Sequence, residues 1–463
     1  MSQFGFTLIL FAISALSAPA LWADTLVLDE NLAIELALKN NYQLQQNQER
    51  VLEAAAGKAV ALGSFFPQIS ASGSYTRLGT LNEFQLVTPV YRQLPLRVYD
   101  PQTGQLIGFT DSVPMPVGAD TLTMPLGSQD NYILRTSVQQ TVFTWGKLIN
   151  AYRIAGLTLA AQKAAYEVAR QQTKVQTIEA FYQTLLTEKT KELIKESYEQ
   201  LKRHVQQVER LYESGLASRL DVMRAKLSLT SMANQVIQVE NGITLAYAAL
   251  YNLIGVSEKT VLVLRSEFNV ESLDIDLSSV FDSALSNRPE LNQLRQTLRI
   301  ANLGVQIART ANLPTIFTQF NYDYKKPVGF NDRWGKDWNA TIGVSMPIFT
   351  GLANYHKLKQ AQSRYRQAAL AVKMVEEGIK LEVQAALANL HQEQQNIAFQ
   401  KENVAVAQEA FQLAEQRYNN GLLSNLEFLD IQLQLTQSRV AHLRALAGYT
   451  IARARLLRAI GKI

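Results

Sequence analysis

Apolar residues recur at helical spacing along most of this chain and give way to alternation with polar residues in two short blocks of each half. The helical pattern is clearest between Leu352 and Tyr418. Leu358, Tyr365, Val372 and Ile379 fall seven apart, and after a four-residue skip Val383, Leu390, Ile397, Val404, Phe411 and Tyr418 do so again. Sustained heptads predict a left-handed coiled-coil seam, and the skip is a stutter that locally unwinds it. Ala361, Ala368, Ala386, Ala407 and Ala414 lie between the seam positions and leave room for close approach. A matching helix, about Gly146 to Tyr212, carries Thr173, Thr177, Thr184 and Lys191 on the corresponding seam, so the same packing is not extended to it. Each helix is roughly 67 residues or ~100 Å long at the standard rise. Such helices need partners along their whole length.

The alternating blocks predict strands. Ile316, Thr318, Phe320, Tyr322 and Tyr324 alternate with Phe317, Gln319, Asn321 and Asp323, and Trp338, Ala340, Ile342, Val344, Met346 and Ile348 alternate with Asn339, Thr341, Gly343 and Ser345. The first half does the same more weakly, with Ile69, Ala71, Gly73 and Tyr75 against Ser70, Ser72 and Ser74, then Tyr132, Leu134, Thr136, Val138 and Val142 against Arg135, Ser137, Gln139 and Thr141. A half-buried soluble sheet has this pattern. So do tilted bilayer-spanning strands, for which Trp338, Tyr322 and Tyr324 suit an interfacial aromatic girdle facing outer-membrane lipid.

The two halves align with each other. An offset of 247 takes Ala37-Leu38 to Ala284-Leu285, Asn40 to Asn287, Leu44 to Leu291, Pro67 to Pro314 and Tyr75 to Tyr322. An offset of 206 then takes Val138 to Val344, Phe143-Thr144 to Phe349-Thr350, Tyr212 to Tyr418, Gly215 to Gly421 and Gly255 to Gly461, so the first repeat carries 41 extra residues between Tyr75 and Val138. The first repeat, 24–257, reads as helix 28–64, strands 66–76 and 131–143 around a loop 77–130, long helix 146–212, tip 213–218 and helix 219–254. The second, 271–463, reads as helix 277–312, strands 315–324 and 337–348 around a loop 325–336, long helix 352–418, tip 419–424 and helix 425–460. From length, the two shorter helices of a repeat, stacked end to end, match one long helix.

The tips are written twice, as RLYESGLASRLD from Arg210 and RYNNGLLSNLEFLD from Arg417. Gly215 and Gly421 supply the left-handed residue that closes a helix. Ser218 with Asp221, and Ser424 with Glu427, have the spacing of a capping box for the helix that follows. Leu216 and Leu422 are apolar where a solvated loop is normally polar. They are either a contact surface or packing within the hairpin.

Composition narrows the classes. The net charge of +5 contains no concentrated basic block, so no nucleic-acid partner is indicated, and the absence of cysteine excludes disulfides, Cys-ligated metals and thiol nucleophiles. Residues 1–23 read as a signal peptide, with an apolar run from Phe6 to Leu16 too short to span a bilayer and small residues Ala18, Ala20 and Ala23 near a cleavage point. His204, His356, His391 and His442 are scattered, and there is no HExxH, ExxH, G-x-S-x-G or phosphate loop. No catalytic residue, cofactor or metal is therefore expected, and no enzyme.

Four strands cannot leave their edges unpaired in lipid and need other copies, three giving 12 strands and two giving 8. Through the duplicated plan, the MPIFTG turn from Met346 to Gly351 and the RYNNGLLSNLEFLD tip, the whole chain after residue 23 resembles the TolC family of outer-membrane channels. The resemblance implies a mainly α fold in which a long coiled-coil helical barrel joins a 12-stranded transmembrane β-barrel made by a homotrimer. It further implies an outer-membrane location with a periplasmic helical tunnel. The function it implies is a passive exit duct of a tripartite efflux pump or type I secretion system, docked to a periplasmic adaptor and an inner-membrane transporter of RND, ABC or MFS type.

Carried over position by position, Glu427 and Asp430 match the family's constricting carboxylates, and Asp221 and Tyr418 match partners that hold the periplasmic gate shut. Gly215, Leu216, Ser218, Gly421, Leu422 and Ser424 form the adaptor-facing tips. The basic residue that some members carry two positions after the second glycine is Leu423 here, with Arg219 and Arg417 nearby. Glu427 is equally explained by capping, whereas Asp430 lies one turn beyond the cap. The insertion, with a hairpin turn expected at Asp100–Gly104, becomes an external loop that caps the barrel, meets external partners or is passive. The alternative reading is a periplasmic coiled-coil scaffold or adaptor whose strands form a small soluble sheet.

Overall fold

The computed structural model describes residues 25–268, 270, 280–329 and 331–463. The expected signal peptide 1–23 and the start of the helix expected at 277 lie outside them. The elements run β1 (Thr25–Leu28), α1 (Glu30–Asn40), α2 (Tyr42–Gly63), β2 (Gln68–Arg77), β3 (Asn82–Tyr99), β4 (Leu106–Leu126), β5 (Asp130–Phe143), α3 (Lys147–Glu213) and α4 (Arg219–Ile254). Then follow β6 (Val261–Leu264), α5 (Val280–Asn287), α6 (Pro289–Arg309), β7 (Thr315–Lys326), β8 (Gly335–Ser345), α7 (Ala353–Asn419) and α8 (Asn425–Ala459). They divide into two compact units, one from the described parts of Met1–Ala55, Leu157–Arg299 and Arg366–Ile463, the other from Ala56–Gly156 and Ile300–Tyr365.

In the first, helical unit the duplication extends to the packing. The buried Ala33, Ala37 and Leu44 become the buried Val280, Ala284 and Leu291 at the first offset, and Leu250 and Ile254 become Leu456 and Ile460 at the second. Thr173 and Thr177 stand where Ile379 and Val383 stand in the other repeat, and all four are buried. Burial of the threonines is tolerated because their hydroxyls bond the preceding helical turn: Thr177 Oγ1 donates to the Thr173 carbonyl, and Thr184 Oγ1 to that of Ala180, each at 2.7 Å. The polar seam of α3 is thus packed in the manner of the apolar seam of α7.

Both shorter leading helices are broken, which corrects the expected helices 28–64 and 277–312. Asp29 ends a strand and caps α1, its carboxylate accepting from the Leu32 N–H at 2.7 Å. Asn41 leaves the helical backbone and recaps the chain, accepting from the Leu44 N–H at 3.1 Å. In the second repeat the break falls at Arg288, and Pro289 opens α6, the helical position where its missing N–H costs nothing. The break residues also serve the C-termini of the last helices. Asn40 and Asn41 donate to the carbonyls of Ile254 and Leu253 at 3.1 and 3.4 Å, and the buried Arg288 donates to those of Arg458 and Ala459 at 3.3 and 3.4 Å. Strand β1 pairs in parallel with β6, Thr25-Leu-Val-Leu28 against Val261-Leu-Val-Leu264.

The second unit holds a four-stranded antiparallel sheet in the order β2-β5-β7-β8, with β2 and β8 at its open edges. The expected loop 77–130 is corrected to an antiparallel ribbon of β3 and β4, a separate sheet whose pairing runs from Asn82↔Leu126 to Tyr99↔Leu106. Its turn forms as the Asp100 carboxylate accepts from the N–H groups of Gln102 and Thr103 at 2.7 and 3.1 Å, and Gly104 takes a left-handed φ of 71°. Alternation persists along the ribbon, but the prolines that read as loop residues, Pro89, Pro95, Pro114, Pro116 and Pro125, are tolerated because a two-stranded ribbon has only edge strands. No described helix is long and apolar enough to cross a membrane.

Candidate functional site

The two tips are built alike. Gly215 N–H donates to the Tyr212 carbonyl at 2.9 Å and Leu216 N–H to that of Leu211 at 2.8 Å; Gly421 N–H donates to Tyr418 at 3.0 Å and Leu422 N–H to Arg417 at 2.8 Å. This is a Schellman closure, which needs the left-handed glycines at φ 76° and 71°. Each next helix opens with a complete capping box. Asp221 N–H donates to Ser218 Oγ at 3.1 Å while Ser218 N–H donates back to Asp221 at 3.0 Å, and the Glu427–Ser424 pair repeats this at 3.2 and 3.1 Å. Hydrogen bonds from Ser424 hold the Glu427 carboxyl below the usual carboxylate range. Leu216 and Leu422 are 78% and 71% exposed, so packing within the hairpins does not account for them.

The tips lie side by side. Asn425, the first residue of α8, donates from Nδ2 to the Asp221 carbonyl at 3.1 Å and holds His204 Nε2 at 2.8 Å through Oδ1. Gln207 Nε2 donates to Asn419 Oδ1 at 3.2 Å. The Tyr418 ring lies 5.0 Å from those of His204 and Phe428, with Phe411 also against Phe428 at 5.7 Å. Burial, and then the charge of Asp221, push the Tyr418 phenol up. Its link to Asp221 within the chain is electrostatic, without a hydrogen bond among the described residues. Asp430 is exposed on α8, one turn past the cap. His204 and Asn425 join the tips yet were not singled out as site residues from the sequence, since the position matching His204 at the second offset is Ala410.

The sheet separates two chemistries. On one face Tyr322 lies opposite Trp338 in register, Tyr324 stacks on Trp334 at 5.0 Å, Trp334 meets Tyr132 at 5.7 Å and Tyr132 meets Tyr75 at 4.9 Å. Trp338, Tyr322 and Tyr324, the residues expected to form a girdle, thus belong to a run of aromatic side chains that reaches all four strands. The other face carries a polar ladder. Arg135 makes two 2.8 Å bonds to Asp323, Lys325 pairs with Asp337 at 2.6 Å, Ser137 donates to Asn321 at 2.8 Å and Asn321 to Asn339 at 3.0 Å. Among the described residues no cluster of His, Asp or Glu is placed to hold a metal ion.

A family model described as outer membrane efflux protein matches residues 33–256 and 280–462, that is, both repeats. The chain belongs to the outer membrane efflux protein family. It is 24% identical over 434 residues to the probable efflux pump outer membrane protein TtgC of Pseudomonas putida, covering 92% of this chain and 82% of that one. It is 23% identical over 245 residues to the alkaline protease secretion protein AprF of Pseudomonas aeruginosa, about half of each chain (52% and 50%). The crystal structure of the Campylobacter jejuni CmeC outer membrane channel shares the fold, with a TM-score of 0.76 and 19% identity over 94% of this chain and 85% of that one. As an outer membrane efflux protein the chain is an exit duct of the outer membrane, its helices forming the periplasmic tunnel. The matches are to transport channels, and none favours the scaffold reading.

Proposed function

We propose that three copies of the chain close a 12-stranded barrel and act as a passive duct, receiving substrate from a periplasmic adaptor and an inner-membrane transporter. The observation that carries this reading is the sheet with open edges at β2 and β8 and an aromatic belt on one face. An unpaired strand edge is untenable in lipid, so β8 of one copy must meet β2 of the next. With the belt turned to lipid, the polar ladder of Arg135–Asp323 and Asn321–Asn339 lines the water-filled interior.

In the helical unit, the exposed Leu216 and Leu422 are the adaptor contacts, and Asp430 is the carboxylate that rings the entrance. The glycines and serines of the tips shape this surface, and Asp221, Tyr418 and Glu427 set its closure. The duct carries out no chemistry of its own and takes what the transporter delivers. The relatives named for efflux and for protease secretion leave both cargo classes within the same architecture.

Recovery from the outer-membrane fraction as an SDS-resistant trimer that conducts ions in planar bilayers is the expected result. A monomer without conductance would overturn the proposal.

A further inference from the structure

We propose that His204 is the positioning residue that latches the second tip onto the first, and that protonation of its ring releases the two. The inference builds on the reading of the tips as the closing end of the duct. His204 is 5% exposed although it lies near the end of a long helix, where water is close at hand. The Asn425 amide is oriented by its own bond to the Asp221 carbonyl, which leaves Oδ1 facing His204 Nε2. The neutral ring therefore donates from Nε2, and one side chain of α8 is tied at once to α3 and to the backbone of α4.

Adding a proton puts a second donor on Nδ1, while the side-chain hydrogen bond that holds the ring is the one from Nε2 to Asn425. The new charge would sit among the rings of Phe428 and Tyr418, 4.5 and 5.0 Å away. Of the charged groups around it, Arg203 and Arg210 come from its own helix and oppose a further positive charge, and Glu415 comes from α7. Helix α8 presents Asn425, Phe428 and Gln432, none of them charged. From α4, Asp221 is joined to the site through its carbonyl, which is bonded to Asn425, while its carboxylate is held in the Ser218 cap. Burial accordingly lowers the proton affinity of the ring. An adjoining open cavity of about 450 Å³, lined in part by Arg203, Gln207, Glu415 and Asn419, gives protons access.

The sign follows from linkage. The latched state binds the proton less well than a released state in which the ring meets water, so latching is complete above pH ~6.5 and weakens as pH falls below it. The released fraction then rises by up to about tenfold per pH unit until the latched ring itself titrates. An acid exterior, which a porous outer membrane passes on to the periplasm, would loosen the entrance.

The chain contains no cysteine, so thiols placed at Leu216 and Leu422 are unique attachment points for spin labels on the full-length protein. Labelled copies are diluted among unlabelled ones and the distance between the tips is followed from about pH 8 to about pH 5. The expected result is a single distance at high pH that gives way reversibly to a longer one below pH ~6.5, and a His204→Gln variant, whose amide still donates but cannot be charged, that keeps the short distance throughout. A wild type with one distance over the whole range overturns the latch. So does a His204→Gln variant that separates as the wild type does, since the titrating groups would then be carboxylates.

Should His204→Gln fail to fold, Asn425→Asp decides. A carboxylate opposite the ring favours the charged form in the latched state, so separation must move to lower pH by at least about one unit, and an unmoved transition overturns the proposal. Conductance in planar bilayers is measured on the same samples. Tips that separate in a protein that conducts no ions would support the latch while removing the duct.

Discussion

Gly255 lies directly against Asn40: a Cβ on the glycine would stand 2.5 Å from the Asn40 Cβ and 3.2 Å from its carbonyl oxygen, at a left-handed φ of 63°. The second repeat rebuilds the same contact from Gly461 and Asn287, at 2.9 and 3.2 Å and a φ of 71°. Each glycine follows the last helix of its repeat where that helix meets the break between the leading helices. Gly215 and Gly421 share the left-handed backbone but have nothing within 4 Å.

Alanine should therefore separate two costs. At Gly215 or Gly421 it incurs only the left-handed backbone penalty of about 1 kcal/mol. At Gly255 or Gly461 it must also displace neighbouring backbone and should cost at least about twice as much, since interiors do not yield space without strain. Thermal unfolding of the four single variants tests this ranking, and equal losses would show that the close approach contributes nothing.

Where the second strand of each repeat turns into its long helix, two successive residues take left-handed backbone. They are Trp145 and Gly146 at φ 53° and 81°, and Gly351 and Leu352 at 60° and 63°. The glycine falls on opposite members of the pair, so each repeat keeps one strained residue. Trp145 is tied down by its Nε1 bond to the Pro314 carbonyl at 2.8 Å and by the Phe143 ring at 5.1 Å. Leu352 is largely exposed. Leu352→Gly should stabilise by about 0.5–1 kcal/mol by relieving the left-handed penalty, and Trp145→Gly should destabilise. Midpoints of unfolding measured side by side would refute this if both moved the same way.

Much of this architecture was legible because duplication allows the chain to be compared with itself. The tips could be read to the hydrogen bond, since glycine closures and capping boxes are local and involve residues within six positions of one another. What sequence patterns missed is non-local or contradicts a propensity. The ribbon of β3 and β4 hid behind prolines that a sheet interior would exclude. The break at Asn41 hid because an asparagine can cap from within an otherwise continuous helical pattern. Parallel β1 and β6 carry nearly the same four residues more than two hundred positions apart, a pairing signal visible only once the two are set side by side. His204 and Asn425 had no signal at all, because their contact depends on how α3 and α8 pack.

Arg288 gives a further prediction. Buried at the second helix break, it donates to Glu382 at 2.6 Å, lies 3.1 Å from Glu290 and bonds the last carbonyls of α8. Glu290 and Glu382 each keep Arg458 at 3.8 Å when Arg288 is removed, so Arg288→Ala loses the buried guanidinium's own bonds to the carboxylates and to the end of α8 and should destabilise by about 2 kcal/mol. Arg288→Lys should recover only part, because an ammonium cannot span both carboxylates and the helix end with one planar fork. Chemical denaturation of the wild type and of the Ala, Lys and Met variants distinguishes this from a merely filled site, for which Arg288→Met would be as stable as the wild type.

The Glu427 cap adds a second acid-sensitive feature in a different pH range. Its carboxyl is depressed by Ser424, so its contribution is fully present above pH ~4.5 and is lost as pH falls through the depressed value. In a Ser424→Ala variant the folded value rises toward the ordinary one, so the loss should be smaller and should be complete at higher pH. Helix fraying at the start of α8, followed by amide exchange, should therefore move toward neutrality in Ser424→Ala and leave any transition near pH 6 untouched. A shift of both together would mean that the cap, rather than His204, controls the tips.

Asp430 is a tip carboxylate that the turn itself does not require. Ser424 engages Glu427 in the capping box, whereas Asp430 is exposed and free of that constraint. Three copies brought to a symmetry axis would place three such carboxylates around one opening, and like charges held together concentrate multivalent cations. Asp430→Ala should weaken block of the pore by a multivalent cation by about tenfold or more with little change in thermal stability, since no packing is lost. Glu427→Ala should do the reverse, lowering stability through the lost cap while leaving most of the block in place. Planar-bilayer recordings of both variants over a cation titration give the answer, and block that survives Asp430→Ala unchanged would remove this residue from the entrance.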